Sequence, residues 1–483
     1  MKKRILLFAL SLATNFVLSQ NWIPIWNEAK IDSTSGTMEP NNSYYDVGRY
    51  PNIVELQTGN GNLAGIIYQS AHLTNEPSPN SAPKELSYIR QSIEDDLTLW
   101  ESPIVLVDTV TYAKMEMIDG HPAIIYLNKY HELYYNRASD QYGDLWNNSP
   151  VRIDSFPNRY NRFAMTELDG LPAITYYNIS QDTVYFRKSS DAIGSSWTKS
   201  VVDKDIGHMN NDWPWVSVDL INANGKPAIA YSLYNNGGDA LRYARAQDAA
   251  GTSWPTIDSI ENETYNIVME VIDGKPSILF KDYGSDPNFI QATDANGSNW
   301  NNRTLINNGS SFVEEMPLVD FNGKPGIAQE IYSSQFSFIE ASSTDGTTWN
   351  NPLDTIVANS FIYSSYDLAV VNGKLLAAYS GYSPTNGRAL SVAQRKENVA
   401  AFIGSLQNNG KFNLYPNPTN SVLNFDLSND KAQSLKIFDL TGKTVSLKNH
   451  VSNQIDVSNL EKGVYLLQIN TSKGKLTQKF VKN

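Results

Sequence analysis

The chain has 483 residues, of which 41% are hydrophobic and 11% aromatic, so it is too long for one small core and predicts several units or a repeat array. It contains no cysteine, which excludes disulfides and thiolate metal sites. The net charge is −12, and residues 411–482 hold ten lysines against five acidic residues, so the acidic surplus belongs to the rest of the chain. An acidic body repels nucleic acid and anionic lipid, and neither is an expected partner.

The first residues have the pattern of an export signal. A basic MKKR segment precedes the apolar run ILLFALSLATNFVLS, which ends with small residues at the cleavage positions. We predict a cleaved signal peptide over residues 1–19, with the mature chain beginning near Gln20 or Asn21; a retained membrane anchor is the alternative. No later segment is apolar enough to span a bilayer, so no transmembrane span is expected.

A repeated pattern of turns follows. An Asp-Gly or Asn-Gly dipeptide precedes a short apolar run, as in MIDGHPAIIY and NANGKPAIAY. These dipeptides predict a β-hairpin, because both central residues of a type I′ turn need a positive φ. A second strand pair comes next, joined by a turn of spacing D-x-x-G-x-x-W. Four copies have this spacing: Asp140 to Trp146, Asp191 to Trp197, Asp248 to Trp254 and Asp294 to Trp300.

Four strands recurring about every 50 residues are typical of propeller blades. Seven turn units predict seven blades, but only six tryptophans follow them; Trp26, followed by Asn27 as Trp146 is by Asn147, supplies the seventh. We therefore predict an all-β fold with a seven-bladed β-propeller over residues 20–397, in which the N-terminal strand completes the last blade. Six or eight blades would follow if the first or last unit is misassigned. The turn glycines are Gly61, Gly120, Gly170, Gly225, Gly274, Gly323 and Gly373.

The Asp-Gly-Trp turns resemble the Asp-box of sialidases and related propellers, S-x-D-x-G-x-x-W. The aspartate here lies six residues before the tryptophan rather than five, and most copies lack the serine; SSTDGTTWN, with Ser343 and Asp345, differs again. Such an aspartate can accept backbone N–H bonds across a turn, glycine supplies a left-handed residue, and tryptophan fills space between sheets. We interpret the turns as structural, with a multiplied binding site as the alternative.

The composition changes after a polar linker at 398–410. Residues 411–483 predict a small C-terminal antiparallel β-sandwich, with strands broken by Asn-Pro, Thr-Gly-Lys and Lys-Gly. The ordered motifs YPNP (415–418), DLTGK (439–443), LEKGVY (460–465) and KFVK (479–482) closely resemble the type A C-terminal sorting domain of the type IX secretion system. The resemblance implies that the type IX machinery is a partner and exports the chain across a Gram-negative outer membrane. In that family the domain is usually removed, and the cargo is released or attached to surface lipopolysaccharide. A β-sandwich appendage without this role is the alternative.

Function is expected on the face opposite the two kinds of turn, where the connections are longer and more variable. The longest insertion is AHLTNEPSPNSAPKE at 71–85. Arginines, carboxylates and exposed rings on this face would suit a saccharide or acidic sugar, through stacking and forked hydrogen bonds. The ligand-binding candidates are Arg49, Tyr50, Arg159, Arg162, Trp213, Trp215, Tyr265, Glu314 and Glu315, with Tyr160, His208, Asp212, Tyr363 and Tyr366 near the same rim.

The leading hypothesis is a secreted or surface-displayed propeller that binds glycan or another surface polymer. A sialidase-like or other glycoside hydrolase is the alternative: Arg49-Tyr50-Pro51 resembles the Arg-Ile-Pro motif of sialidases, but spacing does not select Arg162 and Glu315 for the remaining roles. A structural or adhesive surface protein is the third. No cofactor is predicted, and five scattered histidines predict no metal site. Two carboxylates, or a Tyr–Glu pair, within hydrogen-bond reach would favour the enzyme.

Overall fold

The computed structural model describes residues 26–32, 44–58, 61–73, 84–94, 96–147, 149–156, 163–206, 217–233, 240–255, 257–262, 264–282, 287–306, 316–331, 335–350, 354–358, 362–383, 387–396, 413–427, 432–438, 444–448, 453–471 and 474–483. Within these ranges the chain is all β, and its 35 strands form antiparallel sheets. The same ranges hold no helix that is long and apolar enough to cross a membrane.

Seven sheets of four strands each are the blades of a β-propeller, which confirms the predicted fold and blade count. In blades one to six the strands follow one another in the chain, from the innermost to the outermost. The strands up to blade four are β1 (Trp26–Asp32), β2 (Tyr44–Thr58), β3 (Gly61–Leu73), β4 (Glu85–Arg90), β5 (Ile104–Val107), β6 (Val110–Ile118), β7 (His121–Asn128), β8 (Glu132–Arg137), β9 (Val151–Ser155), β10 (Phe163–Leu168), β11 (Leu171–Asn178), β12 (Thr183–Ser189), β13 (Trp197–Lys204), β14 (Ser217–Ala223), β15 (Lys226–Leu233), β16 (Ala240–Arg245) and β17 (Ile257–Asn262). Those of blades five to seven are β18 (Tyr265–Ile272), β19 (Lys275–Lys281), β20 (Pro287–Gln291), β21 (Thr304–Leu305), β22 (Leu318–Phe321), β23 (Lys324–Ile331), β24 (Gln335–Glu340), β25 (Asp354–Ala358), β26 (Ile362–Val371), β27 (Lys374–Ser383) and β28 (Gly387–Arg395).

The seventh blade is built from both ends of the propeller. β1 pairs antiparallel with β28, with Trp26 opposite Arg395, so the sheet order is β1-β28-β27-β26. Trp26 is buried and meets Phe338 of blade six edge-on, with ring centroids 6.1 Å apart. A buried cluster that includes Ile66 of blade one and Leu376 of blade seven joins the first and last sheets. The pairing of β1 with β28 therefore joins the two ends of the propeller within one sheet.

The two-residue turns have the predicted geometry. Asp119 has φ 48° and Gly120 has φ 70°, so both lie in the left-handed region that a type I′ turn requires. The later copies repeat this pair of positive angles, at 169 and 170, 224 and 225, 273 and 274, 322 and 323, and 372 and 373. These turns end the innermost strands at one face of the propeller, which we call the turn face.

In blades two to five the D-x-x-G-x-x-W turn fastens each blade to the one before it. Asp294 accepts the N–H of Asn296 at 2.8 Å, and Gly297 has φ 75°. A Cβ on Gly297 would lie 2.6 Å from Tyr243 of the preceding blade, against whose ring Trp300 packs edge-on at 5.1 Å. The same contacts join Trp146 to Tyr88, Trp197 to Tyr135, Trp254 to Phe186 and Trp349 to Phe289. The geometry supports the structural interpretation of these turns.

The C-terminal strands form two small sheets that share one buried cluster, which includes Leu423, Leu435, Leu467 and Phe480. This agrees with the predicted antiparallel sandwich. The strands are β29 (Asn413–Tyr415), β30 (Val422–Asp426), β31 (Ala432–Phe438), β32 (Thr444–Lys448), β33 (Gln454–Asp456), β34 (Gly463–Thr471) and β35 (Gly474–Lys482).

Candidate functional site

The innermost strands of all seven blades enclose a cavity of about 660 Å³ on the propeller axis. We call it the axial cavity; its walls come from β2, β6, β10, β14, β18, β22 and β26. Each of these strands ends at the turn face, so its first lining residue lies towards the opposite end of the cavity. We call that end the mouth face; Pro51, Tyr112 and Ser217 are first lining residues.

Tyr112 is a half-buried aromatic ring at the mouth end of the cavity wall. Its ring meets Phe163 of the next blade edge-on, with centroids 5.0 Å apart. The Nζ of Lys114, two residues along the same strand, lies 5.6 Å from the Tyr112 ring centroid. These two contacts restrict the orientation of the ring before any ligand arrives.

Carboxylates dominate the charge of the cavity wall. Six of the seven innermost strands each contribute one acidic residue to the wall. Among the described lining residues, Lys114 is the one cationic side chain. The acidic residues are Glu55 on β2, Glu116 on β6, Asp219 on β14, Glu270 on β18, Asp320 on β22 and Asp367 on β26. The wall is therefore strongly acidic.

Two of these carboxylates stitch neighbouring blades together. Asp219 accepts the N–H of Met269 on the next innermost strand at 2.7 Å, and its other oxygen accepts the N–H of Leu220 at 2.9 Å. Asp367 accepts the N–H of Ile53 at 3.0 Å across the join between blades seven and one. Each satisfies backbone donors that lie between sheets and so have no ladder partner. Both aspartates hold the wall of the cavity in place.

Three further carboxylates act in the same way nearer the turn face. Glu55 accepts the N–H of Asn372 at 2.6 Å, Glu167 accepts that of Asp119 at 2.6 Å, and Asp320 accepts that of Asp273 at 3.1 Å. Each bond runs from the turn of one blade to the innermost strand of the next.

Glu116 and Glu270 differ from these stitching carboxylates. The hydrogen bond that Glu270 makes is local, from the N–H of Val271 at 2.9 Å. Burial raises the pKa of Glu116 from 4.5 to about 8, and repulsion from Glu270, Asp219 and Asp367 adds to the rise while Lys114 opposes it. Burial also raises the pKa of Glu270, to about 7. At neutral pH Glu116 is therefore mostly protonated and Glu270 is near its midpoint.

The sequence-predicted ligand residues fall into two groups. Arg49 and Tyr50 lie on β2 next to Pro51, where the strand is irregular; Tyr50 has φ 47°, and the Nζ of Lys84 lies 5.4 Å from its ring centroid. Tyr265 begins β18, but its side chain is outside the described residues. Outside them too are Arg159, Tyr160, Arg162, His208, Asp212, Trp213, Trp215, Glu314 and Glu315, and the side chain of Tyr363.

Tyr366 lines the cavity wall, but its ring is buried against Phe336, with centroids 4.7 Å apart. It is thus a packing residue rather than a ring presented at the rim. The described residues do include a Tyr–Glu hydrogen bond, from Tyr134 to Glu132 at 3.1 Å, but it lies on β8, the third strand of its blade, and neither residue lines the cavity. No group of three or more His, Asp or Glu side chains suited to a metal ion occurs in the described part of the chain.

The sequence did contain a signal for the cavity residues that was missed. Glu116 in MEMIDG and Glu270 in MEVIDG both stand four residues before the turn glycine, and each has an apolar residue on either side. In these two blades, a charged residue four positions before the turn glycine indicates a side chain in the wall of the cavity. Tyr112 had no such signal, since a tyrosine in a strand is ordinary.

The comparisons with known proteins concern the tail and the propeller separately. Residues 413–483 match the family model of the secretion system C-terminal sorting domain. This confirms the predicted resemblance, and such a domain indicates export across the outer membrane of a Gram-negative bacterium by the type IX system. Over 104 residues the chain is 33% identical to beta-agarase D from Zobellia galactanivorans, a stretch that spans 21% of this chain and 21% of that protein.

Two solved structures are similar to the propeller part of the chain. NanB sialidase from Streptococcus pneumoniae superposes with a TM-score of 0.39 and 11% identity, covering 77% of this chain and 70% of that one. A mutant of the Aleuria aurantia lectin, in complex with alpha-methyl-L-fucoside, gives a TM-score of 0.41 and 11% identity, covering 63% of this chain and 95% of that one.

Proposed function

We propose that the protein is an exported propeller that binds a glycan, or a similar polymer at a cell surface, with the ligand entering the axial cavity from the mouth face. The observation that carries the proposal is the cavity itself: about 660 Å³, with the half-buried ring of Tyr112 at its entrance and acceptor-rich walls behind it. Pockets for small ligands typically have roughly 300–1,000 Å³.

The chemistry of the wall suits a sugar. A sugar ring has apolar C–H faces that stack on aromatic rings and hydroxyl groups that donate hydrogen bonds to carboxylates. Tyr112 offers a fixed ring, while Glu116 and Glu270 are the wall carboxylates that do not stitch blades together. An oligosaccharide that enters the cavity would contact both features.

The proposed boundaries are those expected from the sequence: a signal peptide over 1–19, the propeller over 20–397, a linker over 398–410 and the sorting domain over 411–483. The mouth-face candidates named above, led by Arg49 and Tyr50, extend the proposed site outward from Pro51. Export places the site outside the cell, where surface and matrix polysaccharides are met.

Glycan-array binding by the mature full-length chain tests the proposal, followed by calorimetric titration of the best hit. We expect Tyr112→Ala to weaken binding by at least tenfold and Tyr112→Phe to retain it, since the stacking ring remains. Tyr130→Ala is the matched control, because Tyr130 is an exposed tyrosine of the same blade that does not line the cavity. Unchanged affinity of a correctly folded Tyr112→Ala variant would contradict the proposal.

Glycoside hydrolysis is the second candidate, favoured by one specific observation. A general acid must be protonated near neutral pH, and the pKa of Glu116, raised to about 8 by burial, meets this condition; a second cavity carboxylate, Glu270, adds to the rise by repulsion. Turnover of chromogenic glycosides that Glu116→Gln abolishes without loss of binding would establish catalysis. Binding without turnover would leave the lectin-like function, and silence in both assays would favour a structural or adhesive protein.

A further inference from the structure

The axial cavity combines a polar wall with an unbalanced charge. Of the described residues that line it, six are carboxylates and one, Lys114, is cationic. The chain offers these carboxylates to the cavity from opposite sides of the ring, since Glu116 belongs to blade two, Asp219 and Glu270 to blades four and five, and Asp367 to blade seven. A ligand in the cavity therefore has acidic side chains around it rather than on one side.

The carboxylates differ in whether their oxygens already accept hydrogen bonds from neighbouring blades. Asp219 and Asp367 accept backbone N–H groups of neighbouring blades at 2.7 and 3.0 Å, and Asp320 and Glu55 accept turn N–H groups at 3.1 and 2.6 Å. Through these bonds the four carboxylates join neighbouring blades. Glu270 makes a local bond to the Val271 N–H, and Glu116 has no blade-stitching bond among the described contacts.

We infer that the axial cavity admits uncharged saccharides and rejects anionic ones, and that Glu116 and Glu270 are the residues that set this specificity. The inference rests on the proposed function and deepens it by naming the ligand class. An anionic ligand, sulfated or bearing a uronate, would be brought out of water against several carboxylates, and among the described lining residues Lys114 alone offsets their charge. A neutral sugar meets no such repulsion and donates hydroxyl hydrogen bonds to the same oxygens.

Titration of these groups gives the specificity a predicted pH dependence. Glu116 is faced by Glu270, Asp219, Asp367 and Lys114, and Glu270 by Asp219, Asp320 and Asp367. The pKa of Glu116 is about 8 and that of Glu270 about 7, so both side chains are protonated at pH 5.5 and ionised at pH 9. Rejection of anions is therefore weakest in acid and strongest in base. Sulfated ligands keep their charge throughout this range, so the change belongs to the protein.

The test uses the mature full-length chain on an array of glucan, galactan, mannan and xylan hexasaccharides, each printed in neutral and sulfated form. Wild type is expected to prefer the neutral member of a bound pair by at least tenfold at pH 9, with a smaller preference at pH 5.5. Glu116→Gln/Glu270→Gln should lower the pH 9 preference towards that of wild type at pH 5.5 and reduce its pH dependence. Glu101→Gln/Asp258→Asn is the charge-matched control, since both of its carboxylates are exposed and outside the cavity lining.

The outcomes distinguish a failure of the specificity inference from a failure of the proposed glycan binding. If wild type binds sulfated members as well as neutral ones, or if the folded double variant keeps the full pH-dependent preference, the specificity inference is wrong while glycan binding stands. If wild type binds no hexasaccharide at either pH, glycan binding in the cavity is rejected and the inference falls with it. Thermal melting of each variant shows whether it is folded.

Discussion

Replacing Glu116 by glutamine should make the protein more stable in base and flatten its dependence on pH. Burial among Glu270, Asp219 and Asp367 raises the pKa of Glu116 from 4.5 to about 8. Between these values the folded chain keeps a proton that the unfolded chain has lost. The resulting stabilisation is fully present below pH 4.5 and disappears as the pH rises through 8.

The size of the effect follows from the shift. A rise of the pKa from 4.5 to about 8 corresponds to at most about 5 kcal/mol between acid and base, at about 1.4 kcal/mol per unit. Glu116 keeps some contact with the water of the cavity, which screens its charge, so about 1–3 kcal/mol is the expected difference. Glutamine has the same shape and no charge, so it removes this dependence without opening a void.

Urea unfolding of wild type, Glu116→Gln and the exposed control Glu85→Gln at pH 5.5 and pH 9 measures the difference. We expect the wild-type free energy of unfolding to fall by about 1–3 kcal/mol more than that of Glu116→Gln between the two pH values. Glu85→Gln should follow wild type. Parallel pH dependence of Glu116→Gln and wild type would refute the reasoning, because it would mean that Glu116 titrates alike in the folded and unfolded chains.

Two further predictions concern the frame. Gly194→Ala should destabilise the protein by about 2–4 kcal/mol in urea unfolding, because its Cβ would lie 2.5 Å from Tyr135 of the preceding blade. Gly225→Ala is the control: Gly225 has a similar positive φ but open space around it, so the substitution should cost only about 1 kcal/mol. Equal losses of stability in the two variants would show that the interblade contact contributes nothing. Trp26→Ala should cost about 3–5 kcal/mol by calorimetry, because it empties a buried position in the closing strand against Phe338; a loss below about 1 kcal/mol would contradict ring closure by β1.

The repeat made most of the frame predictable. Asp-Gly and Asn-Gly turns need the positive φ angles that Asp119 and Gly120 adopt, so a short stretch of sequence is enough to predict them. Trp26 was assignable because the phase of six other tryptophans left one place empty. The signal peptide, the domain boundaries and the Asp-box resemblance remain predictions.

The cavity was harder to foresee because ring closure, not local pattern, brings its residues together. Glu116 and Glu270 are far apart in the chain, and each alone is a polar residue in a strand next to a turn. Their shared environment, and hence their raised pKa, exists only when blades two and five face one space. The sequence instead drew attention to arginines and aromatic residues in the blade connections, most of which lie outside the described residues.

The central claim is that the axial cavity is the ligand site, and a crystal structure of the mature full-length chain with its best neutral oligosaccharide tests it most directly. The account predicts density for a sugar ring stacked on Tyr112, with a hydroxyl within hydrogen-bond distance of Glu116 or Glu270. A sugar bound on the outer strands or on the turn face, with the cavity filled by water alone, would contradict it.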